Sequence, residues 1–333
     1  MRVAVVGVTG AVGTEILRVM ERRQFPVSEL LPLASPRSAG KSVTFSGKEW
    51  TVREVNEAAF ANVDVALFSA GATRSRQYVP AALAAGAVAI DNSSAFRMDE
   101  EVPLVVPEIN GGALRARKNQ GVIANPNCAA ILLTMVLHPL KTLGNIERVV
   151  VSTYQSTSGA GALAMEELIA QTRGYLLGDE PEPQIFQWPI AFNLFSHNSD
   201  VEENGYNGEE NKVMEETRKI LDLPSLPISV TCVRVPILRA HCEAVNIEFD
   251  REVDEAHVRN VLRTMPGVRV VDERESNRFP MPRETAGGDD VWVGRIRRDQ
   301  GHPRAIELFL SGDQLLKGAA LNAVQIAEQV IGK

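Results

Sequence analysis

A chain of 333 residues predicts about two domains at roughly 100 to 200 residues each. With 44% apolar and 23% charged residues, it is neither a disordered nor a collagenous polymer. Thirty-five Lys plus Arg against 42 Asp plus Glu leave a formal charge of −7, which opposes adhesion to nucleic acid or anionic lipid through a global positive field while allowing a local basic pocket.

Residues 2–6 form an apolar, β-branched run and predict the first strand. Gly7 and Gly10 interrupt that run before a signal-peptide core forms. Val12, Ile16, Val19 and Met20 then recur at helical spacing, which predicts a first helix with one face for a sheet. Further strands are predicted at 30–34, 63–69, 87–91, 104–106 and 122–124, with a helix at 78–85. Short strands alternating with helices make βαβ units, so the first half is expected to be an α/β, Rossmann-like, doubly wound parallel sheet. The pattern changes at Cys128: a helix at 129–138, a strand at 148–154, a glycine-containing loop and a helix at 163–172. Residues 178–208 are rich in Pro, Asn, Glu and aromatics without a steady period, and read as a long excursion over the site or a subunit partner. Strands at 230–235, 244–249, 268–271, 291–296 and 305–310, with a helix at 255–264, predict a mostly antiparallel mixed sheet covered by helices. Leu316, Ala320, Val324, Ala327 and Ile331 share one stripe of a final helix that returns to the first domain. The expected division is therefore 1–127 completed by 314–333, and an α+β domain over 128–313. No apolar run reaches the roughly 18 residues of a membrane span, and no internal repeat is present.

Gly7-Val8-Thr9-Gly10-Ala11-Val12-Gly13 lies between the first strand and the first helix, where glycines let backbone approach a pyrophosphate at a helix N-terminus. It is G-x-x-G-x-x-G, and without its position on the first βα unit it would signify no more than a tight turn. NAD-binding versions of this unit end the second strand with an acidic residue for the ribose hydroxyls; this chain has Ser35-Pro36-Arg37-Ser38. Arg37 can make charge-assisted hydrogen bonds to a 2′-phosphate and Ser38 adds a hydroxyl, so the expected cofactor is NADP.

Asn125-Pro126-Asn127-Cys128 ends a predicted strand and opens a predicted helix. A thiolate at a helix N-terminus is stabilised by backbone N–H groups and the helix dipole, which suits a nucleophile. Three cysteines are too few and too irregularly spaced for a disulfide framework or a four-cysteine zinc site, so no metal is expected and a reducing cytoplasm fits. Cys232 and Cys242 read as packing residues. Cys242 adjoins His241, but consecutive strand residues face opposite sides, so the two do not form a dyad.

The segment 125–128, followed by Tyr154-Gln155-Ser156-Thr157-Ser158-Gly159-Ala160-Gly161 and by Arg234-Val235-Pro236-Ile237-Leu238-Arg239-Ala240-His241, resembles the aspartate-semialdehyde dehydrogenase family. Matches at 93–99, 208–212 and 318–322 extend the resemblance over nearly the whole chain. It implies an enzyme in which a cysteine attacks aspartate 4-semialdehyde, hydride passes to NADP, and phosphate cleaves the thioester to aspartyl 4-phosphate. Biosynthesis of lysine through diaminopimelate, threonine, methionine and isoleucine runs this in reverse. By residue, the resemblance implies Cys128 as nucleophile, His241 as acid–base group and Gln155 as the amide that orients substrate. It implies Arg234 as the grip on the substrate carboxylate and Glu209 as the partner of its ammonium group. Arg97, Asn127 and Lys212 match a phosphate subsite. Gly7 and Gly13 frame the cofactor turn; Thr9, Gly10, Ala11 and Val12 match its pyrophosphate contacts. Ser158 and Gly159 match the nicotinamide end, with Asn322 as donor to the carboxamide. Homodimers that pair into tetramers are implied as well.

Arg239, two residues before His241, leaves the division of anion duty between Arg234 and Arg239 open. The Ser-Thr-Ser of 156–158 stands where smaller residues are usual in the family. A related N-acetyl-γ-glutamyl-phosphate reductase uses the same thioester logic, but it carries Gly before its cysteine and Tyr after it, where this chain has Asn127 and Ala129. A noncatalytic NADP-responsive regulator on the same fold is the reading from a different class; it requires cofactor binding without turnover.

Overall fold

Val3 to Val6 of β1 (Arg2–Val6) are all buried, as expected of a strand covered on both faces. The computed structural model describes residues 1–114, 121–179 and 181–332. After β1 come α1 (Ala11–Arg22), β2 (Glu29–Ala34), β3 (Ser42–Phe45), β4 (Lys48–Thr51), β5 (Arg53–Glu54), β6 (Val65–Phe68), α2 (Ala72–Ala84), β7 (Val88–Asp91), α3 (Pro107–Asn110) and β8 (Val122–Ala124). The six-stranded sheet runs β5-β2-β1-β6-β7-β8, parallel throughout. Its strand order reverses between β1 and β6, and in such sheets ligands bind beyond the carboxyl ends of the strands at that switch point. The stretch 104–106, expected as a strand, contributes only one bridge, Leu104 to Ala124. Asn110 explains this. Its Oδ1 accepts from Val106 N (2.9 Å), its Nδ2 donates to Leu104 O (2.8 Å), and Pro107 opens α3, so the ladder cannot extend. A β3–β4 hairpin across Ser46 and Gly47, both at positive φ, is an addition the periodicity did not reveal.

The second half contains α4 (Cys128–Leu140), β9 (Ile146–Gln155), α5 (Ala162–Leu177), β10 (Phe195–Ser196), α6 (Gly208–Leu221), β11 (Ile228–Arg234), β12 (His241–Phe249), α7 (Glu255–Thr264), β13 (Val268–Val270), α8 (Pro282–Thr285), β14 (Val291–Arg298) and β15 (Ala305–Gly312). Its sheet runs β10-β11-β9-β12-β15-β14-β13. The β11/β9 and β14/β13 pairs are parallel and the rest antiparallel, so the sheet is mixed and mostly antiparallel. Helix α6 was not legible as a helix: Glu209, Glu210, Asn211 and Glu216 interrupt its apolar stripe, yet all four are buried. Its signal lay in the cap, since Asn207 accepts from Glu210 N while Glu210 reaches back to Asn207 N.

The excursion 178–208, of which residue 180 lies outside the described residues, is fastened to α5 without a ladder. The Glu167 carboxylate accepts from the backbone N–H groups of Gln184 (2.6 Å), Ile185 (2.6 Å) and Phe186 (3.3 Å), and Gln171 Oε1 accepts from Ile190 (2.7 Å) and Ala191 (3.2 Å). Phe186, Ile190 and Ala191 then pack on Ala164 and Leu168. The final stripe forms one π-helical turn, Leu316–Ala320, followed by α9 (Leu321–Ile331). Contacts divide the chain into Met1–Asn127 with Gly318–Lys333, and Cys128–Lys317. Within the first of these, α9 packs on α1, and Arg23 grips Glu328 through Nε–Oε1 (2.9 Å) and Nη2–Oε2 (2.7 Å).

Candidate active site

At the end of β1 the chain turns through Gly7, whose φ of +86° and whose distance to Ser69 O, 2.6 Å from where a Cβ would stand, admit only glycine. A Cβ on Gly13 would lie 2.2 Å from Gly7 O, so the first turn of α1 is drawn directly against the glycine turn. No acidic residue lies in that first turn, and the helix dipole there is left to favour an anion. From β2 the chain enters the one-turn helix Pro36–Ser38: Arg37 is exposed, and buried Ser38 accepts from Thr9 Oγ1 (3.2 Å). Thr9 and Ser38 are thus joined, with Arg37 projecting beside them.

Arg97 is buried in the same unit, donating Nε–H to Asn125 O (2.9 Å) and Nη2–H to Asn92 O (2.7 Å), and Asn127 is buried at the segment that leads into Cys128. Asn322 takes a different place from the cofactor contact expected of it. It is fully buried, and its Nδ2 donates to Val105 O (2.9 Å) and Asn125 Oδ1 (2.7 Å). With both amide hydrogens spent, it latches α9 to the loop before Cys128.

In the second unit, strand register assembles a row of polar side chains. Arg234 pairs with Gln155 and His241 with Gly312, while Cys242 opposite Tyr154 brings His241 beside Gln155. A Cβ on Gly312 would stand 2.6 Å from Leu132 Cδ2, so α4 approaches this end of the sheet closely. Cys128 lies four residues before Leu132 on the same helix face, and its charge favours the Arg234 guanidinium cation. Cys128 is half-buried, whereas Cys232 and Cys242 are buried, and none of the three forms a disulfide. Burial, helped by the nearby Glu209 charge, pushes the Cys232 thiol beyond the ordinary range, and burial lifts Cys242 to about 11. Both are chemically inert at neutral pH, as packing residues should be.

His241 is held in one tautomer. Its Nδ1 accepts from Ser156 N (3.1 Å), and a backbone N–H cannot do otherwise than donate. The neutral ring must therefore carry its proton on Nε2. A relay reinforces this: Gln314 Nε2 donates to Ser158 Oγ, Ser158 Oγ meets Ser156 Oγ at 3.1 Å, and Ser156 Oγ meets His241 Nδ1 at 3.1 Å. Gln314 Oε1 accepts from Ala240 N (2.9 Å), the residue of positive φ that precedes His241. Burial, aided by the Arg234 cation, depresses the His241 pKa to about 3, so the ring stays neutral across physiological pH. Gly159 completes the arrangement, since a Cβ there would sit 3.2 Å from both His241 Nε2 and Arg234 Nη1.

Arg234 is 2% exposed and donates Nη1–H to Ser156 O (2.7 Å). Burial lowers its pKa, while the Glu209 and Cys128 charges counter that by favouring the guanidinium cation. Buried Gln155 donates to Glu209 Oε1 (3.2 Å) and leaves its own Oε1 without a partner, and Lys212 Nζ stands 3.6 Å from Glu209 Oε2. Of the two arginines, Arg239 donates to the buried Asp313 carboxylate at 2.6 Å, which also accepts from Gly287 N and caps Leu315. Gln314 and Asp313 had no signal in the linear pattern, because their partners lie far away along the chain.

Beneath the row, Glu243 sits two residues beyond His241 on β12, opposite Thr153 and Leu310. It is fully buried, neither carboxyl oxygen has a hydrogen-bond partner, and burial raises its pKa well above the 4.5 of an exposed glutamate. The folded state therefore keeps the proton that the unfolded chain releases above about pH 4.5, and stability falls as pH rises until the native carboxyl ionises. Glu243→Gln should be more stable than wild type, with the gap widening by about 1 kcal/mol per pH unit above that point. Denaturant melts at pH 5 and pH 7 check this; a gap independent of pH would mean that the carboxyl is already charged in the fold.

Comparison with known proteins follows the same division of the chain. The family model described as semialdehyde dehydrogenase, NAD binding domain, matches residues 2–117, and that described as semialdehyde dehydrogenase, dimerisation domain, matches 137–317. Aspartate-semialdehyde dehydrogenase of Synechocystis sp. is 52% identical over 331 residues, covering 99% of this chain and 97% of the relative. That of Prochlorococcus marinus is 50% identical over 331 residues, covering 99% and 96%. The crystal structure of aspartate semialdehyde dehydrogenase II from Vibrio cholerae complexed with ASA superimposes with a TM-score of 0.96 at 43% identity, covering 100% of this chain and 98% of the other. No helix among the described residues is long and apolar enough to cross a membrane, and no described cluster of His, Cys, Asp or Glu could hold a metal ion.

Proposed function

The chain belongs to the semialdehyde dehydrogenase family, oxidoreductases acting on an aldehyde, and from that premise we propose that it is an NADP-dependent aspartate-semialdehyde dehydrogenase. The proposed reaction takes L-aspartate 4-semialdehyde, phosphate and NADP to L-aspartyl 4-phosphate and NADPH, and runs in reverse for biosynthesis of lysine, threonine, methionine and isoleucine. The observation that carries this reading is Cys128 at the N-terminus of α4, together with a row that offers a guanidinium, an amide and a tautomer-locked imidazole.

Each side chain has a role its geometry supports. The Cys128 sulfur adds to the aldehyde carbon, and the thioester that results stays reactive toward phosphate. His241 presents Nε2–H as a hydrogen-bond donor for the oxygen that gains charge as the tetrahedral adduct forms. Its fixed tautomer suits donation rather than proton abstraction. Arg234 takes the substrate carboxylate, Glu209 the ammonium group, and the unpartnered Oε1 of Gln155 accepts a donor between them. Phosphate is held by Arg97, Asn127 and Lys212, two cations and an amide donor.

The glycine turn fits a dinucleotide, because Gly7 and Gly13 clear the backbone approach and the first turn of α1 carries no acid. Thr9, Gly10, Ala11 and Val12 would hold NADP there, and the bound cofactor would supply the hydride acceptor. Arg37 and Ser38 read the 2′-phosphate. Arg37→Ala should weaken NADP about ten- to a hundredfold and leave NAD nearly unchanged, which isothermal titration with the two cofactors measures. Equal losses for both would remove the basis for the phosphate contact. The dimerisation domain supports an oligomer, and we assign a cytoplasmic homodimer that can pair into a tetramer. Exposed Tyr175, Leu176, Leu177, Trp188, Phe192 and Leu194, on α5 and the excursion, are apolar enough to be covered by a second copy.

NADPH absorbance with aspartate 4-semialdehyde and NADP, with and without phosphate, tests the function as a whole. It should rise only when phosphate is present and not with glutamate-type semialdehydes. Cofactor binding without turnover would overturn the enzymatic reading in favour of a regulator.

A further inference from the structure

The guanidinium of Arg234 is aimed largely by the excursion. Its Nη2 meets His197 Nε2 at 2.7 Å and Asn198 Oδ1 at 3.1 Å, and its Cζ stands 5.6 Å from the centre of the Phe186 ring. His197, Asn198 and Phe186 all belong to 178–208, a stretch whose composition gave no sign of them as site residues. Arg234 Nε is buried without a partner, so the fork still has a donor to offer.

Both ring nitrogens of His197 meet polar neighbours. A guanidinium only donates, so in the 2.7 Å contact His197 Nε2 is the acceptor, while Nδ1 lies 3.1 Å from Ser199 Oγ and 3.2 Å from Ser199 N. Ser199 Oγ in turn donates to Asn207 Oδ1 (3.2 Å) and accepts from Glu209 N (3.0 Å), and Asn207 caps the helix that presents Glu209. One hydrogen-bonded network thus ties the direction of Arg234 to the position of Glu209. Burial, with Arg234 and Lys212 adding to it and Glu209 opposing, holds the His197 pKa down to about 4, so the ring keeps its acceptor at neutral pH.

We propose that His197 is a positioning residue: by accepting from Nη2 it aims Arg234, and so sets the preference of the enzyme for an aldehyde that carries a carboxylate. This rests on the reading of Arg234 as the carboxylate grip. The network connects the excursion to specificity, which pinning to α5 alone would not require.

The test compares L-aspartate 4-semialdehyde with 3-aminopropanal, which keeps the aldehyde and amine and lacks the carboxylate. His197→Ala in the full-length enzyme should raise KM for the first about ten- to a hundredfold with little change in kcat, and leave KM for the second unchanged. His197→Gln, whose Oε1 can accept where Nε2 did, should recover most of the loss. Equal losses on both aldehydes, or no loss on either, would overturn the proposal, the former making His197 a scaffold residue. Arg234→Ala separates the role of Arg234 from that of His197. If it fails to discriminate between the aldehydes, the reading of Arg234 falls; if it discriminates and His197→Ala does not, only the role of His197 falls.

Discussion

Cys128→Ala is expected to lower kcat/KM by at least about a thousandfold while leaving NADP affinity within about twofold of wild type. The thiol supplies the bond on which the whole sequence of steps depends, and no other cysteine can replace it. Cys232 is buried among acidic charges and Cys242 titrates near 11, so neither offers a thiolate near pH 7. Cys128 alone combines partial exposure with the first position of a helix, where backbone N–H groups favour the anion. Steady-state rates paired with isothermal titration of NADP make the measurement, and brief iodoacetamide treatment followed by mass spectrometry adds a second reading. Alkylation should fall on Cys128 first. Activity above about a thousandth of wild type in the variant would rule out the covalent route.

His241→Asn should cost about a hundred- to a thousandfold in kcat, the range found when a single donor to a developing oxyanion is removed, with substrate KM little altered. The structure adds a sharper expectation about pH. With a pKa near 3 the ring does not titrate between pH 5 and 8, so the pH–rate profile of the variant should keep the shape of the wild-type profile over that range. A limb near pH 6.5 that vanishes in the variant would show that the imidazole does exchange protons in turnover, against the tautomer argument.

The sign of the stability effect is also determined. A folded-state pKa below the unfolded 6.5 means that the native state refuses a proton which the unfolded chain accepts, so His241 costs stability as pH falls from about 6.5 toward 3. His197 acts in the same direction down to about 4. The melting temperature of His241→Asn relative to wild type should therefore rise as the pH is lowered from 7 to 5. Glu243 works in the opposite sense, losing stability as pH rises above the unfolded carboxylate range, so the two buried layers confine the stability optimum from both sides.

What the linear pattern determined was local chemistry: the βα alternation of the first half, the glycine turn, Arg37-Ser38 after β2, the junction that places Cys128 at a helix start, and the mixed sheet. Hydrophobic period and turn residues act over a few positions, so they can be read in order. The rest was decided by tertiary structure, because it depends on register and burial between distant segments. The tautomer of His241 is set by Ser156, 85 residues away, and the commitment of Arg239 is set by Asp313, 74 residues away. Asn322 turned inward because Asn125 and Val105, some two hundred residues earlier, accept both of its hydrogens. The strand expected at 104–106 gave way to a side chain that out-competed the ladder for its backbone groups. Helix α6 emerged because a cap and a buried environment outweighed a polar composition. A hydrogen bond between side chains on different strands has no period along the chain, so only the folded arrangement reveals which donor meets which acceptor.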